Sequence, residues 1–162
     1  MSLKGTLETI LVVDDDEAVL GIVVKILKDA NFRVLAAASV HAAIKLADET
    51  HERIHLLLSD VDMPGMSGPG LGEILKIARP EMHVMLMSGQ QDGNLLVLNY
   101  GWAFIQKPFV PTKLVQMVTE VLHSENRSQL GGEGFDSRKD TPANREAEAK
   151  RRAGQTDGKR ND

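Results

Sequence analysis

The stretch Ile54-His55-Leu56-Leu57-Leu58-Ser59-Asp60 runs directly into Val61-Asp62-Met63-Pro64-Gly65-Met66-Ser67-Gly68. A short, nearly continuous apolar run is typical of a β-strand that is buried on both faces, and the proline and glycines that follow it predict a turn. Asp60 therefore stands at a strand tip that enters a loop. A carboxylate in that position is well placed to act as a nucleophile.

Further apolar runs of the same kind alternate with helical patterns along the chain. The predicted strands are 9–13, 32–36, 54–59, 83–87 and 103–106. Apolar residues recur at helical spacing between them, for example at Val19, Val23 and Leu27. Five successive β-α pairs predict an α/β fold, with an open, doubly wound parallel sheet of five strands covered by five helices.

Length and composition limit the function classes. A chain of 162 residues with 42% hydrophobic content fits one ordinary globular domain. Its net charge of -4 provides no basic footprint for direct nucleic-acid binding. No apolar run approaches the roughly 18 residues of a membrane span, and residues 1–4 do not resemble a signal peptide, so we expect a cytoplasmic protein. Zero cysteines exclude disulfides and thiolate metal sites.

The composition changes sharply after His123. Residues 124–162 contain only two large apolar side chains, Leu130 and Phe135. Such a segment cannot bury enough apolar surface to offset its ordering entropy, which predicts a polar, disordered tail. We therefore expect one domain over residues 1–123, with its core in 8–123, and no DNA-binding or catalytic output domain in the tail.

Polar residues follow four of the predicted strands. Asp14 and Asp15 follow the first strand, Asp60 the third, Ser88 the fourth and Lys107 the fifth. Each one alone has an ordinary explanation, such as a helix cap, an Asx turn or a solvated side chain. Because the carboxyl ends of parallel strands meet at one edge of the sheet, we expect the five to lie together and to form a reactive site.

Clustered carboxylates favour a hard divalent cation, and Mg²⁺ suits an all-oxygen site with few protein ligands. In this arrangement Asp60 would attack a phosphoryl group in line. Mg²⁺, Lys107 and the Ser88 hydroxyl would neutralise the transferring oxygens, and the product would be an aspartyl phosphate.

Four ordered motifs resemble the receiver domain of bacterial response regulators over about residues 8–123, with similarity to chemotaxis regulators and to the receivers of hybrid sensor kinases. They are Ile10-Leu11-Val12-Val13-Asp14-Asp15-Asp16-Glu17, Asp60-Val61-Asp62-Met63-Pro64-Gly65-Met66-Ser67-Gly68, Ser88-Gly89 and Lys107-Pro108-Phe109. The resemblance implies a flavodoxin-like strand order of 2-1-3-4-5. It also implies a signalling switch rather than an enzyme, with self-phosphorylation and self-dephosphorylation as its only reactions.

The resemblance assigns a role to each site residue. Asp60 is the phosphoacceptor, and it receives phosphate from a sensor histidine kinase or a histidine phosphotransfer protein. Asp15 and Asp60 bind Mg²⁺ directly, Asp14 binds it through water, and Asp62 binds it through its backbone carbonyl. Lys107 binds the phosphate and precedes a cis proline.

The resemblance also implies residues that switch conformation on phosphorylation and residues that set the rate of dephosphorylation. Ser88 is similar to the hydroxyl that turns towards the phosphate, and Phe104 to the aromatic residue whose rotamer follows it. A plain role in the strand core is an equal alternative for Phe104. Asp62 and Gln90 match positions that tune attack by water, which predicts an effect of the Asp62 side chain on dephosphorylation.

Two features depart from the family's pattern. The segment between Ser88 and Lys107 is about one helical turn shorter than usual, and Gln91-Asp92-Gly93-Asn94 is rich in helix breakers. This predicts a short or displaced fourth helix in a region that usually carries output and dimerisation, so the output protein is left open. Val110 occupies the place of a polar cap before the last helix, which predicts a modest stability cost.

Three alternatives remain at this point. One is a small Mg²⁺-dependent phosphatase that uses Asp14 and Asp16 as its Asp-x-Asp pair. Another is a module that binds partners without phosphorylation. The third alternative concerns context, because the domain could be a stand-alone regulator or one receiver of a longer hybrid kinase.

Overall fold

Five parallel strands and four helices alternate along the residues that the computed structural model describes, which are 7–89 and 100–124. The strands are β1 (Thr9–Val13), β2 (Arg33–Ala37), β3 (Leu56–Asp60), β4 (His83–Ser88) and β5 (Ala103–Gln106). The helices are α1 (Glu17–Asp29), α2 (Val40–Glu49), α3 (Gly68–Ala78) and α4 (Pro111–Leu122).

The strands form one sheet in the order β2-β1-β3-β4-β5, which confirms the predicted parallel topology and strand order. The pairing registers bring the carboxyl ends of the inner strands level with one another. Val13 lies opposite Ser59, Asp60 lies opposite Met87, and Ser88 lies opposite Gln106. The residues that end or follow these strands therefore share one edge of the sheet.

The core has two layers because alternate residues of each strand point to opposite faces. On one face, side chains such as Leu11 and Leu57 pack with buried residues of α2 and α3. On the other face, side chains such as Val12 and Leu58 pack with buried residues of α1 and α4. Both faces of the inner strands are covered, which explains why their sequences lack an apolar-polar alternation.

Three helices begin at a capped residue and the fourth does not. The side chain of Asp16 accepts hydrogen bonds from the first turn of α1, and Ser39 and Ser67 do the same for α2 and α3. Val110 precedes α4 without a side-chain cap, as the sequence predicted. The missing cap costs about 1 kcal/mol.

The strand boundaries differ slightly from the predictions. The predictions for β1 and β5 are correct, β2 begins one residue late, and β3 begins at Leu56 rather than Ile54. Ile54 is only 2% exposed although it precedes the ladder, so its apolar character reports burial and not strand pairing. Asp60 and Ser88 are the last residues of β3 and β4 and do not follow them.

Two predictions fall on residues outside the described ranges. The fourth of the five predicted helices falls largely on 90–99, and the predicted tail falls on 125–162 apart from Ser124. No helix within 7–89 and 100–124 has the length and apolar character that crossing a membrane requires.

Candidate functional site

Three carboxylates meet at the carboxyl edge of the sheet. Each of Asp14, Asp15 and Asp60 has a carboxylate oxygen that lies within 4.8 Å of one from each of the others. Asp14 is fully buried, Asp60 is 8% exposed and Asp15 is exposed. The backbone N–H of Asp16 donates to Asp14 Oδ1 over 2.9 Å, which fixes the orientation of the buried carboxylate.

Lys107 bridges two of these carboxylates. Its Nζ atom lies 2.8 Å from Asp14 Oδ2 and 3.1 Å from Asp60 Oδ1. The lysine follows β5, and its backbone N–H donates to the carbonyl of Ser88 over 2.8 Å. Its bond to Pro108 is cis, as the resemblance implied. The sheet therefore brings Lys107 into contact with both Asp14 and Asp60, and these three residues gather at one edge of the sheet as predicted.

Burial and like charge govern the electrostatics of the cluster. Burial raises the pKa of Asp60, the bond and charge of Lys107 lower it, and the charges of Asp14 and Asp15 raise it further, so that it ends above its usual value. Burial alone would lower the pKa of Lys107, but its contacts with Asp14 and Asp60 outweigh burial and raise it. One ammonium shared between two buried carboxylates is held firmly charged, yet it does not fully offset their negative charge.

This donor set fits a hard divalent cation. Three carboxylates with one lysine leave an excess of negative charge at a site made of oxygen atoms, which is the environment that Mg²⁺ prefers. Asp62 is exposed in the loop between β3 and α3, and its carboxylate is not part of the cluster. The backbone-carbonyl role assigned to Asp62 remains a prediction.

The two predicted switch residues lie on neighbouring strands. Ser88 ends β4 and is 3% exposed. Phe104 lies in β5 opposite Leu86, and it packs half-buried against the core layer under α2 and α3. The structure therefore contains the strand-core contacts of Phe104, and its role as a switch remains a prediction. Gln90 lies outside the described residues.

Two residues beside Asp60 were missed from the sequence. Ser59 Oγ donates a hydrogen bond to the backbone carbonyl of Asp60 over 2.9 Å, and both atoms are buried. A Cβ atom at Gly68 would lie 2.2 Å from that same carbonyl oxygen. Ser59 was hidden in an apolar run and Gly68 in a glycine-rich turn, so only the folded chain shows that they meet at Asp60.

Comparison with known proteins agrees with this geometry. A family profile described as the response regulator receiver domain matches residues 10–119. The sensor kinase CckA of Brucella abortus is 30% identical in an alignment of 121 residues that covers 73% of this chain. The chain spans only 13% of that protein's length.

Two solved structures have a similar fold. A receiver domain protein from Methanospirillum hungatei superposes with a TM-score of 0.66 at 30% identity, over 75% of this chain and 98% of that one. The receiver domain of the hybrid histidine kinase CckA superposes with a TM-score of 0.61 at 32% identity, over 70% of this chain and 98% of that one.

Proposed function

The chain belongs to the response regulator receiver domain family, and on that premise we propose that Asp60 is the phosphoacceptor through which it signals. The contact between Asp60 and Lys107 is the observation that carries this proposal. One carboxylate oxygen of Asp60 lies 3.1 Å from the ammonium, while the side chain keeps 12% of its surface exposed at the sheet edge. Asp60 is thus both held in place and accessible to a phosphodonor.

The proposed reaction is an in-line transfer from a phosphohistidine. An oxygen of ionised Asp60 attacks the phosphorus, and the new P–O bond forms as the P–N bond breaks. The electron pair of the broken bond returns to the ring nitrogen, and the protonated donor leaves as neutral imidazole. Lys107 would exchange its bond to Asp60 for a bond to a phosphoryl oxygen, while Asp14 keeps the ammonium in place.

We propose that Asp14, Asp15 and Asp60 hold Mg²⁺, with the backbone carbonyl of Asp62 as a further ligand. When bound, the ion would offset the negative charge of the carboxylates and of the phosphoryl oxygens. The excess of carboxylates over ammonium groups supports this proposal, because Lys107 alone leaves negative charge uncompensated.

We propose that Ser88 and Phe104 relay the phosphorylation state. The Ser88 hydroxyl would donate a hydrogen bond to the phosphoryl group at the neighbouring strand end. Phe104 would then change rotamer against the core layer that it already contacts. The position of Ser88 at the end of β4, beside the strand that carries Asp60, supports the first step.

The partners follow from the chemistry of transfer. We propose that a sensor histidine kinase or a histidine phosphotransfer protein phosphorylates Asp60 of the receiver domain, residues 1–123, in the cytoplasm, and that output passes through contact with another protein. The only reactions of the domain itself would be its labelling and the hydrolysis of the aspartyl phosphate. Similarity to part of a sensor kinase, and to a receiver domain protein whose solved chain is covered over 98% of its length, is compatible with either context for the domain.

The phosphatase alternative is not favoured. It requires Asp14 and Asp16 to act as a pair on one substrate. Asp16 instead accepts hydrogen bonds from the backbone N–H groups of Ala18 and Val19, and so it serves as the cap of α1. The phosphatase reading also leaves the contact between Asp60 and Lys107 without a purpose.

Intact-mass measurement after incubation with acetyl phosphate and Mg²⁺ tests the proposed phosphoacceptor. We expect the mass of one phosphoryl group on the wild-type chain and none on Asp60→Asn. Asp16→Asn is the matched control because asparagine also caps helices well, so this variant should be labelled like the wild type. An unlabelled wild-type chain, or labelling that persists in Asp60→Asn, contradicts the proposal.

A further inference from the structure

The first turn of α3 packs against the backbone of Asp60. A Cβ atom at Gly68 would lie 2.2 Å from the carbonyl oxygen of Asp60 and 3.0 Å from its carbonyl carbon. The same atom would lie 3.1 Å from Ser59 Oγ. A side chain at position 68 therefore cannot be accommodated unless the Asp60 peptide or the start of α3 moves.

Space at position 68 is sufficient reason for a glycine there. The glycines with a positive φ among the described residues are Gly65 and Gly101, and Gly68 is not one of them. An alanine at position 68 would need no left-handed backbone, and the ring of Pro69 would add to its crowding because proline disfavours helical backbone at the residue before it. The neighbouring atom is a backbone carbonyl, which cannot rotate aside as the end of a side chain would.

Two further hydrogen bonds hold this contact together. Ser59 Oγ donates to the Asp60 carbonyl over 2.9 Å, and the backbone N–H of Gly68 donates to the carbonyl of Val61 over 2.9 Å. On the opposite side, the backbone N–H of Val61 donates to the carbonyl of Met87 in β4 over 2.9 Å. The peptide that follows Asp60 is thus fixed between α3 and β4.

From these contacts we infer that Gly68 and Ser59 are positioning residues for Asp60. This inference rests on the proposed role of Asp60 as phosphoacceptor. The Asp60 side chain leaves the same backbone that Gly68 and Ser59 hold, so a shift there moves the nucleophile relative to Lys107 and the carboxylate cluster. A displacement of about 1 Å lowers the rate of a transfer reaction by roughly 100-fold.

A second glycine of α3 provides the matched control. A Cβ atom at Gly72 would also be crowded, but its neighbours are side-chain atoms, namely two ring atoms of Trp102 at 3.0 Å and Cγ1 of Val84 at 3.3 Å. Gly72→Ala therefore changes the packing of α3 on side chains and leaves the Asp60 backbone alone. Both variants introduce the same methyl group into the same helix, and they differ in what that group meets.

The experiment measures the rate constant of labelling by acetyl phosphate and the affinity for Mg²⁺ on variants that urea titration shows to be folded. We expect Gly68→Ala to be labelled about 100-fold more slowly and to bind Mg²⁺ more weakly. Gly72→Ala should keep the wild-type rate and affinity, whatever its stability. Comparable rates for folded Gly68→Ala and wild type would overturn the inference, as would an equal loss of rate in Gly72→Ala.

If Gly68→Ala does not fold, Ser59→Ala tests whether these contacts position Asp60. It removes the hydrogen bond to the Asp60 carbonyl without introducing a clash, and we expect labelling to be roughly fivefold slower. An unchanged rate in folded Ser59→Ala would then refute the inference. The wild-type chain is measured first, because a wild type without labelling refutes the proposed phosphoacceptor itself and not its positioning.

Discussion

The two edges of the sheet use charged side chains in opposite ways. At the carboxyl edge, Lys107 is shared between Asp14 and Asp60, and a carboxylate oxygen of Asp15 lies within 4.8 Å of an oxygen of each of them. At the amino edge, where the helices end, Lys76 and Arg79 bond to neutral backbone atoms, and the ion pairs of Arg33 with Glu52 and of Arg53 with Glu81 join exposed side chains. Lys76 donates to the carbonyl of Met82, and Arg79 donates to carbonyls at the end of α2 and in the loop after it.

The contrast separates a responsive edge from a structural one. The electrostatic free energy of a cluster of like charges that is only partly compensated changes strongly when a cation or a phosphoryl group is added. Hydrogen bonds from a guanidinium to neutral carbonyls instead satisfy backbone acceptors, and the guanidinium does not change its charge with ligand or pH. We therefore expect substitutions at the carboxyl edge to change both chemistry and stability, and those at the amino edge to change stability alone.

Lys107→Met should have the largest effect, because it leaves the buried carboxylates of Asp14 and Asp60 without their cation. We expect a loss of roughly 3 kcal/mol in the free energy of unfolding without divalent cations, and partial recovery with Mg²⁺. Labelling by acetyl phosphate should slow by about 100-fold. Urea titration and mass spectrometry measure the two effects.

Lys113→Met is the control for this change because Lys113 is an exposed lysine in the first turn of α4. It should leave both quantities near their wild-type values. If Lys107→Met were as stable as Lys113→Met, the carboxyl edge would not depend on its ammonium, and the proposed contrast would fail.

Arg79→Met should have the next largest effect and should be confined to stability. The guanidinium donates to the carbonyls of Ala47, Thr50 and Glu52 over 3.0, 2.7 and 3.0 Å. Their loss should cost about 2 kcal/mol in the free energy of unfolding without changing the labelling rate of the folded protein.

Arg53→Met is the matched control for Arg79→Met. Its ion pair with Glu81 spans 4.0 Å between exposed side chains, so its loss should cost less than about 0.5 kcal/mol. A slower labelling rate in folded Arg79→Met would show that the amino edge also affects the chemistry.

The difference between the edges also explains what the sequence could predict. Asp14, Asp60 and Lys107 were identified because parallel strands place their carboxyl ends together, so a pattern along the chain becomes proximity in space. The bonds of Arg79 to α2 were not predicted, because they join a side chain to carbonyls about 30 residues earlier in the chain with no pattern to mark them. The contact of Gly68 with Asp60 depends on the course of a turn and was missed for the same reason.

Asp60→Asn should make the folded protein more stable at neutral pH without divalent cations. The pKa of Asp60 is raised above its usual 3.8, chiefly by burial, so the unfolded chain ionises first as the pH rises. The cost of ionising Asp60 in the folded state accumulates through that window and is complete above the raised pKa. Asparagine avoids this cost.

Urea titration across acidic and neutral pH measures the effect. The stability advantage of Asp60→Asn should disappear below pH 3.8, where the wild-type carboxyl is protonated in both states, and Mg²⁺ should reduce it at neutral pH by stabilising the wild type. A wild-type chain that is the more stable of the two at neutral pH would contradict the proposed excess of negative charge.

His55 should give the amino edge a small pH response of the opposite direction. Its Nδ1 atom accepts a hydrogen bond from the backbone N–H of Thr9 over 2.9 Å, so that nitrogen is unprotonated in the folded protein. Burial first, and then the charges of Arg53 and His83, lower the pKa of His55 below 6.5, against an opposing effect of Glu8. Its contribution to stability is therefore complete above pH 6.5 and is lost as the pH falls through the lowered pKa.

His55→Asn tests this because the asparagine side-chain oxygen can accept the same hydrogen bond but does not titrate. The variant should lose less stability than the wild type between pH 7 and pH 5, whereas His41→Asn, at an exposed position on α2, should follow the wild type. Labelling by acetyl phosphate should be equal in all three proteins, because His55 lies at the end of the sheet opposite to Asp60. A labelling rate that changed with His55→Asn would mean that the two edges are coupled through the strands, and the division between a responsive and a structural edge would no longer hold.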